Sequence, residues 1–303
     1  MAEQWSDGQQ TGTAASAPAP WSALRAALAE TGIAPDDGTE AIARHLGAPL
    51  VVKLGGSVGP GETVLQEIAW LRQVGVWTVL VHGGGPLITA WLDRVGKTTQ
   101  FVDGLRYTDG ETLDMACMVL AGLVNTQLVA ALGALGGRGW GLSGVDGALL
   151  RASVRDARLG LVGEVERVDA DLLQFLCARG YTPVLAPIAV RADGQPLNVN
   201  ADAVAGVVAA AMGARELVFL TDVPGVLDAS GQPLHRLTPS ACAQLAADGV
   251  IRGGMRPKVE ACARAAAAGA TSRIVDGRAP YSLLRALCVA ESGTVVVPDA
   301  AER

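Results

Sequence analysis

The chain has 303 residues, half of them hydrophobic and 18% charged, with a formal net charge of -6. That length holds one large domain or two lobes, and the apolar content supports a packed core rather than global disorder. The acidic balance, with no basic block, argues against nucleic acid as the main partner but leaves room for an anionic small molecule in a locally positive pocket.

In chain order, Met1–Pro20 is rich in Gln, Gly, Ser, Thr, Ala and Pro and reads as disordered. Two short helical patterns follow, Trp21–Glu30 and Thr39–Leu46, split by Pro35-Asp36-Asp37-Gly38. They form either a surface appendage or an oligomer-forming arm. From Leu50 onward strand and helix patterns alternate, as a parallel sheet covered on both faces requires. Leu50–Val52 is an apolar strand ending in Lys53 and Gly55-Gly56, and Thr78–Val81 is a second ending in His82 and Gly83-Gly84-Gly85-Pro86. Between them Val64, Leu65, Ile68 and Leu71 recur at helical spacing, which makes a βαβ unit with glycine turns at neighbouring strand ends. Leu87–Val95 reads as a helix and Phe101–Tyr107 as a loop. Thr108 or Asp109 then caps a long apolar helix to about Leu135.

Gly136–Leu142 reads as a strand, and Leu149–Ser153 with Leu161–Val168 as a hairpin. Asp169 starts a helix to about Ala178, and Pro183–Pro187 is a buried strand. Asn198-Val199-Asn200-Ala201-Asp202 opens a very apolar helix to Met212, and Leu217–Thr221 is a strand followed by the turn Asp222–Leu227. Helices at Pro239–Ala247 and after Gly253-Gly254, a strand at Arg273–Val275, a last helix at Tyr281–Val289 and a closing edge strand at Thr294–Val297 complete the chain. A boundary near Gly213 divides it into an extension (1–48), a first lobe (49–212) and a second (213–303).

The glycine turns carry the chemistry. Backbone N–H groups at Gly55-Gly56 and Gly83–Gly85, each before a helix, suit a phosphate or carboxylate, although simple tight turns would use the same residues. No GxxxxGK[ST] loop and no dinucleotide fingerprint occurs. Lys53 ends an apolar strand, and Lys258 starts a helix whose dipole it opposes at a cost of roughly 0.3–1 kcal/mol unless an anion is present. Two misplaced lysines suit a transferring phosphoryl group. Asp202 can hold their geometry, and Asn198 can meet a polar group of the substrate; an elaborate helix cap explains the same stretch. Arg106 suits bidentate carboxylate binding, or a surface pair with Asp103 or Asp109. The histidines His45, His82 and His235 form no metal set, His82 reads as a structural hydrogen-bonder, and Ser143 has no histidine partner for a hydrolase triad. The cysteines, Cys117, Cys177, Cys242, Cys262 and Cys288, lie far apart with no CxxC pair, as expected of buried free thiols in a reducing cytoplasm. No run of about 18 apolar residues free of charges and no signal-like leader is found, so no membrane partner is expected.

Taken together, VVKLGGS, VLVHGGGP, DGLRYTDGETLD, GLSGVDGALLRA, LVGEVERVD, PLNVNADAVAG, LVFLTDVPGVL, GGMRPKVEACARA and the final DGR resemble the amino acid kinase family over Val51 to about Val297. Within it they are most similar to the members that phosphorylate N-acetyl-L-glutamate in arginine biosynthesis; the alternative is a relative acting on carrier-linked aminoadipate in lysine biosynthesis. A third reading, a non-catalytic amino-acid sensor, predicts the loss of a lysine or of Asp202, and all three residues are present. The resemblance implies a three-layer αβα sandwich with a mainly parallel open sheet, in two lobes. The N-terminal lobe would hold the acyl amino acid, and the C-terminal lobe ATP with Mg2+ bound mainly through the nucleotide. It implies that Lys53 and Lys258 stabilise the transition state and that Asp202 orients them. Gly56, Gly84 and Gly85 would meet the phosphoryl group and substrate, Arg106 would clamp a substrate carboxylate, and Asn198 would bind the acylated amino acid. Asp222, Val223, Pro224, Gly225, Val226, Leu227, Val250, Ile251 and Arg252 would line the adenine and ribose site. A cytoplasmic homodimer is implied, or a hexamer through the N-terminal extension. Ala286 stands where arginine-inhibited members carry a glutamate, which argues against feedback inhibition.

Overall fold

The computed structural model describes residues 20–55 and 62–299, with the side chain of Glu62 excepted. The expected disorder of the first nineteen residues and the anion contact of Gly56 lie outside the described residues. The chain opens with helices α1 (Pro20–Glu30) and α2 (Pro35–Ala43), then strand β1 (Pro49–Leu54), α3 (Glu62–Gln73), β2 (Trp77–His82) and α4 (Gly85–Arg94). A short hairpin, β3 (Phe101–Val102) and β4 (Leu105–Arg106), precedes α5 (Gly110–Cys117), a π-helical turn (Met118–Val124) and α6 (Asn125–Ala134). Next come β5 (Gly139–Ser143), β6 (Leu150–Val154), β7 (Gly163–Val168), α7 (Ala170–Ala178), β8 (Thr182–Ala186), β9 (Ile188–Val190) and β10 (Pro196–Asn198). The last part holds α8 (Ala201–Ala211), β11 (Glu216–Thr221), β12 (Arg236–Leu237), α9 (Pro239–Ala247), α10 (Met255–Ala267), β13 (Thr271–Asp276), α11 (Ser282–Cys288) and β14 (Thr294–Val296).

Eight strands form one sheet in the order β12-β14-β13-β11-β1-β2-β8-β5, in which every described pair is parallel except β13 with β14. Strand parity decides which side chain faces which layer. Val51, Val79, Val81, Leu217 and Phe219 enter the core under α8 and α10, while Leu50, Val52, Leu54, Leu80, Val218 and Leu220 enter the core under α3, α6 and α11. Lys53 shares the parity of Val51, so its side chain rises on the α8 side. A smaller four-stranded sheet, β10-β9-β6-β7, covers one end.

Several boundaries differ from the sequence expectation. Pro35–Gly38 does not separate the first helices but forms the first turn of α2, with Pro35 at its start and Asp36 and Asp37 facing the positive helix end. Gly38 admits Leu28, whose Cδ1 would lie 2.7 Å from an added Cβ. Phe101–Tyr107 carries the β3–β4 hairpin rather than a plain loop. The last strand, β14, is not the edge, because β12 pairs outside it. The helical stretch Gly110–Ala134 is long and apolar enough, by length and composition, to cross a membrane, which the sequence reading did not register. Leu113, Ala116, Val119, Leu120, Leu128 and Leu132 bury one face of it inside the fold.

Candidate active site

The parallel strands end in a crevice where the chain order reverses, since β2 and β8 lie on one side of β1 and β11 and β13 on the other. Ligands of open α/β sheets bind at such a switch point. Here a cavity of about 360 Å³ is lined by Lys53, Gly83–Pro86, Arg106, Asn198, Asn200 and Asp202. Four distant segments supply these groups, and each arrives for a local reason.

Lys53 is the last but one residue of β1 and 5% exposed. Asp202 stands in the first turn of α8, whose N-cap is Asn200: its Oδ1 accepts from the N–H groups of Asp202 and Ala203 at 2.9 and 3.1 Å. Asn200 therefore makes the cap, and the Asp202 carboxylate is not used in it. Gly206 lets α8 approach α10 closely, for an added Cβ would lie 2.8 Å from Ala261 Cα. That contact brings Lys258 of α10 over Asp202. Lys53 Nζ lies 2.7 Å from Asp202 Oδ1, and Lys258 Nζ donates to Asp202 Oδ2 at 2.9 Å. Burial alone pushes the Asp202 carboxyl up, but the two ammonium groups outweigh it and hold the group below the ordinary carboxylate value. Burial pulls Lys53 below its ordinary value, against the pull of Asp202, and Lys258 adds to the lowering. The cluster carries one carboxylate for two lysines, so it has an excess positive charge beside the cavity.

Arg106, at the end of β4, donates from one terminal nitrogen to Gly85 O at 2.7 Å and Thr89 Oγ1 at 2.9 Å, and from the other to Thr99 Oγ1 at 3.1 Å. Three of its five N–H groups are thus engaged, and the guanidinium also lies 5.1 Å from the Phe101 ring centre. It pairs with neither Asp103 nor Asp109; Asp109 instead caps α5 through Thr112 N–H and takes Lys97. Thr89 and Thr99 were not singled out from the sequence, although Thr89 stands four residues after Gly85 on one helix face. Asn198 donates to Thr108 Oγ1 at 3.1 Å.

The two glycine turns differ. Gly84 is the N-cap of α4, so the free N–H groups of that helix's first turn begin at the cavity wall. Gly55 N–H donates to Leu220 O at 2.8 Å and Gly83 N–H to Leu54 O at 3.3 Å, each prolonging a strand ladder, so neither is free for an anion in this conformation. Among the residues expected around a nucleotide, Asp222, Pro224 and Leu227 are exposed at the end of β11, Val223 and Val250 are half-buried, and Arg252 is exposed before α10. Val226 and Ile251 are core residues. Gly225 is buried too, and an added Cβ there would lie 2.6 Å from Thr294 Oγ1, so its role is to admit β14. These three can reach a ligand only through their backbone. Ser143 donates to Asp146 Oδ2 at 2.9 Å and belongs to a turn, not a triad.

A profile of the amino acid kinase family matches residues 48–276. An acetylglutamate kinase from Methanothrix thermoacetophila is 44% identical over 264 residues, covering 82% of this chain and 91% of its own. Another, from a Synechococcus species, is 47% identical over 252 residues, 80% of this chain and 88% of its own. The solved carbamate kinase from Giardia lamblia bound to AMP-PNP superposes with a TM-score of 0.61 at 16% identity, covering 83% of this chain and 99% of that one, a likeness of fold alone.

Proposed function

The chain belongs to the amino acid kinase family, and from that premise we infer that it transfers the γ-phosphoryl group of ATP to the side-chain carboxylate of N-acetyl-L-glutamate. The product is an acyl phosphate, and the step belongs to arginine biosynthesis. A carrier-linked aminoadipate is not favoured as acceptor, because relatives matched over most of the chain are acetylglutamate kinases.

The reaction needs position and charge compensation more than covalent help. A carboxylate oxygen of the acceptor attacks the γ-phosphorus in line, the bond to the β–γ bridging oxygen breaks, and ADP leaves with that electron pair. Negative charge gathers on the equatorial oxygens and the leaving oxygen. Lys53 and Lys258 meet that charge, and Asp202 keeps the two ammonium groups from separating before substrate arrives. The α4 N-terminus at Gly84 and Gly85 receives the reacting groups through backbone N–H donors. Arg106, with two donors left, takes the α-carboxylate, and Asn198 takes the acyl amide.

We assign residues 49–212 to the acceptor lobe and 213–303 to the nucleotide lobe, with Asp222 to Leu227 and Val250 to Arg252 along the adenine and ribose. The described residues contain no group of three or more metal-ligating side chains, and both Asp202 oxygens face lysines. The Mg2+ that accompanies ATP would be held mainly through the nucleotide, where it would neutralise phosphate charge. The protein is proposed to work in the cytoplasm, in keeping with five free thiols, and as a homodimer through the open β5 edge of the sheet.

The observation that supports this reading best is the bridge of Asp202 to both lysines at the cavity. A coupled ADP-release assay with acetylglutamate, glutamate and aminoadipate derivatives tests it. ADP should form in step with acetylglutamate, and equal release without an acceptor would overturn the assignment.

A further inference from the structure

His82 and Asn125 are buried beside the cavity and take no part in the chemistry above. His82 ends β2. Its Nδ1 lies 2.9 Å from Gly83 O, and its Nε2 lies 3.2 Å from Asn125 Nδ2. A carbonyl oxygen only accepts, so Nδ1 carries the ring proton, and Nε2 is left as the lone pair that receives the amide N–H. Burial, with the nearby Lys53 charge, holds this imidazole below its ordinary value against the opposing pull of the Gly83 carbonyl, which keeps the ring neutral. The amide cannot turn over. Its Nδ2 also donates to Val184 O at 2.8 Å, and its Oδ1 fills the space where a Cβ on Gly141 would fall. Asn125 is the first residue after the π-helical turn, and that turn supplies Leu120 and Val124. An added Cβ at Gly84 would lie 2.6 Å from Leu120 Cδ2 and 3.5 Å from Val124 Cγ2. One segment thus supports the triple-glycine turn twice, by packing on Gly84 and by fixing the ring that holds Gly83. A π-helical turn inside a helix often marks such a functional position.

We propose that Asn125, acting through His82, is a positioning residue for the acceptor substrate: it selects the imidazole tautomer that anchors Gly83 O and so aims the Gly84 and Gly85 amides at the reacting carboxylate. The identity of that acceptor rests on the kinase reading above; the hydrogen-bond relay does not.

Two measurements separate these. Ring-nitrogen NMR on protein labelled with 15N-histidine is tractable because there are three histidines, and His82→Asn identifies the signal. At pH 7 the His82 ring should be neutral with the proton on Nδ1. Asn125→Asp should convert it to the doubly protonated form, because the carboxylate and Gly83 O would each demand a donor. A neutral Nε2–H ring in the unaltered protein, or a ring unmoved by Asn125→Asp, overturns the relay. In steady-state kinetics, Asn125→Ala should raise the KM for acetylglutamate roughly tenfold while the KM for ATP stays within about twofold. His82→Asn, whose amide nitrogen can replace Nδ1, should stay within about threefold of the unaltered enzyme. An unchanged acetylglutamate KM in folded Asn125→Ala sinks the positioning role, and if that variant does not fold, His82→Ala carries the same comparison. Should the unaltered protein ignore acetylglutamate, the kinase reading falls, and the ring spectra alone decide the relay.

Discussion

A lysine at the end of a buried strand must find an anion, and Lys53 finds Asp202 at 2.7 Å. Lys258 reaches the other oxygen of the same carboxylate and is the less buried of the pair. Lys258→Ala should leave the fold intact, since Lys53 still compensates Asp202, and should cut turnover by about 10²–10³-fold, as loss of one oxyanion donor does. Circular dichroism and a turnover assay check both halves, and near-normal turnover would count against the role. Arg106→Ala should chiefly raise the acetylglutamate KM if the guanidinium is, as proposed, a ground-state clamp rather than a transition-state contact. An unchanged KM with a slower rate would point to the guanidinium's other duty, holding Gly85 O and Thr89. Lys53 stood out in the sequence as a charge at the end of an apolar run, and Lys258 as a cation at a helix start. The fate of Gly55 was not legible: whether a turn's N–H is free depends on which strand lies alongside, here β11.

Glu67 shows what a helix pattern hides. In sequence it is an ordinary acidic residue of α3, but α11 covers it completely, and its Oε2 accepts from Leu284 N–H at 2.7 Å. Burial raises its carboxyl to about 8, with the Leu284 and Leu283 N–H groups opposing. Below the ordinary glutamate value of 4.5 the group is protonated in both the folded and unfolded states, and its contribution to stability is complete. As pH rises from there to about 8, the unfolded chain releases a proton that the folded chain keeps, so stability falls. Glu67→Gln keeps an acceptor for Leu284 and cannot ionise. Its melting temperature should therefore decline less than that of the unaltered protein between pH 5 and pH 8. Parallel curves for the two proteins would show that Glu67 is charged in the folded state. The α11 segment also meets the N-terminal helices. Tyr281 donates to Glu30 Oε2 at 2.9 Å and Arg285 to Thr31 O at 3.0 Å, so α1 is fastened to the α11 segment of its own chain.

At the scale of the whole molecule, the sheet ends in two outer strands, β12 and β5. β5 is its last strand, with Trp140 46% exposed on it and Phe175 55% exposed on the neighbouring α7. If the homodimer forms there, Trp140→Asp should shift the protein to monomers in light scattering without unfolding it. A persistent dimer would place the contact elsewhere. The strand and helix alternation, the short apolar runs beside helical spacing, the misfit lysines and the family motifs were all present in the sequence, because burial on two faces and close backbone approach leave compositional traces. Strand order, the closeness of α8 and α10 at Gly206, the neutral state implied for Glu67 and the His82–Asn125 relay left none. They are decided by which distant segments come to share a wall, and two residues 56 positions apart, such as Asp202 and Lys258, have no local signal of one another until the sheet has brought their helices together.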